Sequence, residues 1–208
     1  MNFLRISPIQ VLRVGLFTPE GDEVGHIVDR IGGFVPAIES KPLASHFVGT
    51  KPIVMITLCG YGDKRGFFSN STKKTSTPRR LPDDWWKHGS QRRVCLFAFS
   101  CNSYEYLHSS SAMQHLSGAI GFSGYIWLHN VECSKRMIRR WARFLDKVRE
   151  LVEEQVVLDQ DALAKLRDLY ENKIEHLGGM GFLRAFWREE DYVMRMCLMK
   201  QMRRLRLV

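Results

Sequence analysis

The chain has 208 residues, 45% of them hydrophobic and 25% charged, which is the composition of a folded globular protein and argues against disorder. This length allows one domain, with or without an extension, whose core needs no disulfide or metal. The formal net charge of +9 is compatible with acidic partners, nucleic acid and acidic protein faces among them, but solvated helix faces and loops explain it better because no nucleic-acid motif accompanies the charge.

The first half of the chain predicts strands that each end in small or polar residues. An apolar run at residues 11–17 predicts a buried strand that stops before Gly21. Residues 22–34 predict a helix ended by two glycines, and residues 43–47 predict a second, short helix. The continuous apolar run at 51–58 is typical of a central strand covered on both faces, and it ends in the sequence CGYGD.

The middle of the chain continues this pattern. Residues 69–84 are polar, basic and proline-containing, which predicts a loop. A second buried strand is predicted at 94–99 and ends in the sequence SCNS. A helix at 105–116 and a further strand at 118–122 follow it.

After residue 134 the apolar pattern changes to a helical period. Ser134 is a candidate N-cap for a long helix whose apolar residues recur every three or four positions. A second helix is predicted at 161–177, with Gly178 available to end it. The tail at 182–208 fits a helix, although residues 192–199 fit a strand equally well.

This order of elements predicts an α/β fold with a largely parallel sheet and flanking helices over residues 1–150. Residues 151–208 are expected to form a helical extension packed on it. Ligands of such sheets bind beyond the carboxyl ends of the strands, so the CGYGD and SCNS sequences are the candidate functional segments.

Cys101, in the SCNS sequence, lies at a predicted junction between strand and helix. Backbone N–H groups and the helix dipole favour a thiolate at such a junction, and the same N–H groups can donate to the oxyanion formed in acyl transfer. The alternative is a small buried residue at a turn, which is common for free cysteine.

The cysteines and the apolar runs bear on cofactors and location. The five cysteines are odd in number and include no CxxC pair, so we expect no disulfide framework, no metal site and no cofactor. Scattered free thiols fit a reducing compartment. The sequence begins without a signal-peptide pattern and contains no apolar run of about 18 residues, so we expect a cytoplasmic protein without membrane contact.

Four successive segments of the sequence carry a resemblance to a known family. The segment IVMITLCGYGDKRGFF is similar to an apolar strand followed by a histidine–glycine motif, and VCLFAFSCNS is similar to a strand ending in a nucleophilic cysteine. The later segments HLSGAIGFSGYI and SKRMIRRWARFLDKV resemble the strand and helix that come next. Over about residues 51–148 the chain therefore resembles the cysteine-peptidase domain of the caspase-like (CHAT/separase-type) group.

The resemblance implies a caspase-like sheet and a peptidase in which the Cys101 thiolate attacks a peptide carbonyl. Backbone N–H groups near Gly62 and Cys101 would hold the oxyanion, and Asp63 would contact a basic substrate side chain, unless Asp63 is only a turn former. Many relatives belong to multi-component systems, including bacterial defence, so the resemblance implies a protein substrate or a protein partner.

Tyr61 departs from the family pattern, because it stands where the family has its catalytic histidine. With an ordinary pKa near 10, tyrosine is a poor base at neutral pH. Three explanations stay open: a domain that has lost its activity, a base supplied by another histidine, or a wrong alignment. His88 is the candidate replacement base, but it precedes the same strand as Cys101 and is expected about 23 Å away, at the other end of that strand.

Two alternatives to an active peptidase follow. One is an inactive pseudo-peptidase that acts as an interaction module in an assembly. The other is a basic nucleic-acid-binding protein, for which Arg139, Arg140 and Arg143 on one predicted helix face are candidate phosphate contacts. Asp146 and Glu150 continue that face, which favours an ordinary solvated surface.

Overall fold

The structure is a computed structural model that describes residues 7–19, 22–70, 78–89, 91–126, 128, 134–178 and 188–208. Within these ranges the strands are β1 (Ile9–Gly15), β2 (Val35–Pro36), β3 (Ile53–Cys59), β4 (Gly62–Asp63), β5 (Gly66–Phe67), β6 (Arg93–Phe99), β7 (Gly118–Phe122) and β8 (Leu205–Leu207). The helices are α1 (Glu23–Ile31), α2 (Ser103–Ser109), α3 (Lys135–Glu153), α4 (Gln160–Gly178) and α5 (Arg188–Arg204).

Six of the strands form one sheet in the order β2-β1-β3-β6-β7-β8. Every neighbouring pair is parallel except β7 and β8, which are antiparallel. The strands β4 and β5 form a separate antiparallel hairpin beyond the end of β3. The prediction of an α/β fold with a largely parallel sheet, flanking helices and a C-terminal helix is confirmed.

The central strands are buried on both faces. Every residue of β3 is buried, which explains why its sequence is apolar without alternation. Met55 packs on one face with Trp141, Tyr170 and other residues of α3, α4 and α5. Ile56, its neighbour, packs on the opposite face with the cluster that contains Trp86.

The prediction of one helix over residues 105–116 is wrong in its bounds, because this segment is divided in two. It consists of α2 and a separate 3₁₀ turn, Ser111–His115. Ser110 between them is extended, with φ −101° and ψ 161°, and its hydroxyl accepts a hydrogen bond from the N–H of Ala112. Serine competes with helical backbone in this way, which ends α2 after seven residues.

The C-terminal part of the chain shares the core of the sheet. The predicted boundary at residue 150 lies inside α3, and apolar residues of α3, α4 and α5 belong to one buried cluster with β6 and β7. Residues 192–199 are helical, while Leu205–Leu207 add the edge strand β8. None of the helices in the described ranges has the length and apolarity needed to cross a bilayer.

Candidate active site

The two candidate segments, CGYGD and SCNS, lie side by side at the carboxyl ends of the central strands β3 and β6. Because β3 and β6 pair in parallel with Cys59 opposite Phe99, the residues that follow them emerge together. Tyr61 and Cys101 both line one cavity of 270 Å³. Its other lining residues come from the start of α1, from the two strand ends and from the segment after β7: Asp22, Glu23, Val24, Gly60, Phe99, Ser100, Tyr125, Ile126 and Leu128.

Cys101 is partly exposed, and its sulfur accepts a hydrogen bond of 3.2 Å from the backbone N–H of Ile126. Burial raises the pKa of the Cys101 thiol, against the smaller opposing effects of the Ile126 N–H and the Arg204 charge. The protonated form of the thiol is therefore favoured more strongly than in a free cysteine. Its surroundings favour the neutral form, whereas an activated cysteine has its thiolate stabilised.

The turn after Cys101 is tightly constrained. Asn102 is buried and left-handed, with φ 52°, and it is the one described non-glycine residue with positive φ. The next residue, Ser103, donates from its hydroxyl to the carbonyl of Ala98 at 3.1 Å and accepts from the N–H of Phe122 at 2.8 Å. These bonds join the start of α2 to β6 and β7 and hold Cys101 at the strand end.

The segment that carries the Ile126 N–H is also held in place. The N–H of Gly124 donates to Glu105 at 3.1 Å, and the carbonyl of Gly124 accepts from the N–H of Asn102 at 2.7 Å. The guanidinium of Arg204 donates to the carbonyl of Tyr125. Donors and acceptors from α2, from the turn after Cys101 and from the end of α5 thus position the backbone N–H of Ile126 at the thiol.

Tyr61 binds a carboxylate. Its hydroxyl donates to Oδ2 of Asp22 at 2.7 Å, while Oδ1 of Asp22 accepts from the N–H of Val24 at 2.8 Å and caps α1. Burial, followed by this hydrogen bond and the negative charge of Asp22, raises the pKa of Tyr61 far above its ordinary value. Tyr61 is consequently a hydrogen-bond donor that keeps its proton at neutral pH.

Gly62 packs closely against the turn before Cys101. A Cβ at this position would lie 2.6 Å from Oγ of Ser100 and 2.9 Å from the ring of Phe67, so a side chain does not fit. Gly62 pairs with Phe67 in the small hairpin and is not among the described residues that line the cavity. The N–H of Ile126 donates to the sulfur instead, and sequence reasoning missed this residue.

Asp63 is also outside the described lining of the cavity and is already paired. Its carboxylate accepts from Arg80 at 2.5 Å and from the N–H of Arg65 at 2.8 Å. The hydrogen bond from Arg80 is the main reason why the pKa of Asp63 lies below its usual range. The acidic residues that do line the cavity are Asp22 and Glu23.

His88, the candidate replacement base, lies at the opposite end of β6 from Cys101. It precedes the amino end of β6, and its Nε2 lies 2.6 Å from the carbonyl of His115, just before the amino end of β7. Cys101 follows the carboxyl end of β6, and a strand of seven residues spans about 23 Å. None of the described residues that line the cavity is a histidine.

A scan of the sequence against protein-family models and a search of curated proteins found no match. In the described part of the chain no group of three or more histidine, cysteine or acidic residues is arranged to hold a metal ion. The residues that sequence reasoning missed are Asp22, Glu23 and Ile126. For Asp22 the available signal was its position as a helix N-cap, which indicates the cap but not the contact with Tyr61.

Proposed function

We propose that the chain is a catalytically impaired caspase-like (CHAT/separase-type) cysteine-peptidase domain that binds a protein segment at the cavity beside Cys101. The observation that carries this proposal is the hydrogen bond of 2.7 Å from Tyr61, at the position of the family's histidine, to Asp22. A residue in that position must accept the proton of the thiol, and Tyr61 instead donates its own.

The chemistry of the Cys101 thiol supports the proposal that peptidase activity is impaired. Nucleophilic attack by cysteine requires the thiolate, which an active enzyme obtains from a nearby base or a stabilising positive charge. Burial raises the pKa of Cys101, and the hydroxyl of Tyr61 accepts no proton at neutral pH. Hydrolysis of a peptide bond therefore lacks both its nucleophile and its base.

The lining of the cavity indicates what it binds. Apolar walls come from Val24, Ile126 and Leu128, and the carboxylates of Asp22 and Glu23 supply negative charge. With 270 Å³ the cavity is near the lower limit for ligand pockets, a size that suits one side chain of a protein segment. An aliphatic stem that ends in a positive charge matches these walls, so the segment presents lysine or arginine.

The resemblance also bears on the setting. Many relatives in this peptidase group belong to multi-component systems, bacterial defence among them, and we propose that this domain acts inside such an assembly with a protein partner. We place it in the cytoplasm, because the four cysteines in the described ranges are free and thiols stay reduced there.

Peptide chloromethyl ketones test the binding and the impairment separately. Three probes that carry arginine, leucine or glutamate next to the reactive group bind reversibly before they alkylate a thiol. We expect the arginine probe to label Cys101 fastest, as followed by intact mass, with Cys101→Ser as the unlabelled control. We also expect Glu23→Gln to reduce the preference for arginine over leucine.

Two results would overturn the proposal. Equal labelling rates for the three probes would show that the cavity does not select a basic side chain. Hydrolysis at neutral pH of an amide substrate with the same peptide sequence, abolished by Cys101→Ser, would instead establish an active peptidase.

A further inference from the structure

Four arginines on two helices line a second cavity, of 480 Å³. Arg30 lies in the last turn of α1, and Arg136, Arg139 and Arg143 lie on α3. No described residue lines both this cavity and the one beside Cys101. We call it the arginine pocket.

The arginines converge because of their spacing and the packing of the helices. Positions 136, 139 and 143 follow each other at intervals of three and four residues, which places them on one face of α3. The apolar residues of α3, Trp141 among them, are buried against the core. Because α1 packs on α3, Arg30 joins the same concave surface.

Other arginines nearby have acidic partners. The side chain of Arg140 is largely buried and pairs with Asp191, and Arg149 binds Asp146 at 2.6 Å and Glu153 at 2.5 Å. By contrast, Arg30, Arg139 and Arg143 form no ion pair with any residue that the structure describes. The Nε atoms of Arg139 and Arg143 donate only to backbone carbonyls one turn earlier, at 3.3 and 3.4 Å.

The positive field extends beyond the pocket. Lys173 lies on α4, where burial lowers its pKa; the charges of Arg140, Lys147 and Arg143 lower it further, against the smaller opposing effect of Asp191. Like charges one helix turn apart, as at Arg139 and Arg143, repel each other, and a bound anion would relieve this repulsion. This is the kind of surface that a strongly charged ligand would stabilise.

We propose that the arginine pocket binds a compact polyanion that carries two or more phosphate groups. The planar guanidinium matches the geometry of phosphate oxygens, and Arg30, Arg139 and Arg143 together carry more charge than one phosphate balances. A volume of 480 Å³ is within the range of pockets for small ligands. The described lining contains no aromatic ring on which a base could stack, so recognition is directed at the phosphates.

A small polyphosphate explains the pocket better than a nucleic-acid backbone does. A backbone requires a basic track that continues along the surface. Along α3 the next turns carry Asp146 and Glu150, both beside Arg149, so the unpaired positive charge of this helix does not continue beyond Lys147. The concave shape between two helices also suits a compact ligand.

The test is isothermal titration calorimetry of the full chain with sodium tripolyphosphate at about 150 mM salt, an ionic strength that weakens diffuse binding. We expect saturable binding, and a dissociation constant at least about tenfold higher in the double variant Arg139→Gln with Arg143→Gln, because each removes a charged hydrogen-bond donor. The control is Arg195→Gln with Arg203→Gln, two exposed arginines of α5 whose replacement removes the same net charge. Arg30→Gln, on the other helix, should also weaken binding.

The proposal is overturned if no saturable binding occurs, or if both double variants weaken binding equally, since the charge would then act diffusely. It is also overturned if single-stranded RNA binds more tightly than tripolyphosphate and the variants Arg139→Gln with Arg143→Gln abolish that binding, since the surface would then serve nucleic acid. Urea unfolding of each variant checks that it is folded. If the double variant Arg139→Gln with Arg143→Gln does not fold, the single variant Arg30→Gln is used instead, and unchanged binding in it would overturn the proposal.

Discussion

The hydroxyl of Tyr61 donates a hydrogen bond of 2.7 Å to the carboxylate of Asp22, 39 residues earlier in the chain. This bond joins the turn after β3 to the N-cap of α1 and forms part of the wall of the cavity beside Cys101. In the proposed function, the same bond occupies the place where an active relative would hold its base. The consequences can be tested at Tyr61, at its neighbours and at Cys101.

Replacing the tyrosine should restore part of the missing chemistry. In Tyr61→His, an imidazolium between Asp22 and Cys101 would stabilise the thiolate and lower the pKa of Cys101. A fall of one pKa unit raises the thiolate fraction about tenfold, so we expect alkylation of Cys101 at neutral pH to accelerate by at least that factor. Tyr61→Phe, which adds no base, should react no faster than the wild type. An unchanged rate in Tyr61→His would contradict the assignment of this position.

Alkaline pH should weaken the fold through Cys59. This thiol is buried at the end of β3, and burial raises its pKa to about 12. Because the unfolded chain releases this proton above about pH 8.5 while the folded chain keeps it, the contribution of Cys59 to stability is complete below that pH and is lost as the pH rises towards the folded value. Urea unfolding from about pH 8 to about 11 should therefore show the stability difference between wild type and Cys59→Ala narrowing with pH. A constant difference would mean that the thiol ionises equally in both states.

Neutralising two glutamates of α3, Glu153 and Glu150, should lower the free energy of unfolding by very different amounts. Glu153 binds Arg13 of β1 at 2.9 and 3.0 Å and Arg149 at 2.5 Å, and its side chain is 9% exposed. Glu150 is 58% exposed and lies 3.7 Å from Arg149. We expect Glu153→Gln to lower the free energy of unfolding by about 2 kcal/mol and Glu150→Gln by less than about 0.5 kcal/mol. Equal losses in urea unfolding would show that the link between β1 and α3 contributes little.

Gly62 should tolerate no side chain. The Cβ of Gly62→Ala would lie 2.6 Å from Oγ of Ser100, so we expect a loss of about 1–3 kcal/mol in the free energy of unfolding. The additional change Ser100→Gly should recover part of it by removing the clash. Gly89→Ala is the control, because a Cβ there meets nothing within 4 Å, and it should change stability by less than about 0.5 kcal/mol. A loss in Gly62→Ala no larger than in the control would contradict the close approach.

Much of the sheet could be predicted because its signals are local. The continuous apolar runs of β3 and β6 require cover on both faces, and parallel pairing then brings the residues after them together. The start of α3 was equally readable, since Ser134 caps it by accepting from the N–H of Met137 at 3.1 Å. These predictions rest on burial and capping within a few residues.

The contacts of the candidate site and the last strand could not be predicted, because they join residues that are distant in sequence. No local pattern relates Asp22 to Tyr61 or the N–H of Ile126 to the sulfur of Cys101, because both contacts arise only when the sheet is assembled. Strand β8 directly follows α5 and has only three residues. Its extended conformation is therefore determined by pairing with β7 and not by the β-propensity of its sequence.

The most direct test of the central claim is the pH dependence of iodoacetamide alkylation at Cys101 in the wild-type chain, followed by intact mass spectrometry with Cys101→Ser as control. We predict slow labelling at neutral pH and an apparent pKa above about 8.5, the ordinary value for a thiol, because burial favours the protonated form. Fast labelling with an apparent pKa well below about 8.5 would show an activated thiolate and would contradict a catalytically impaired domain.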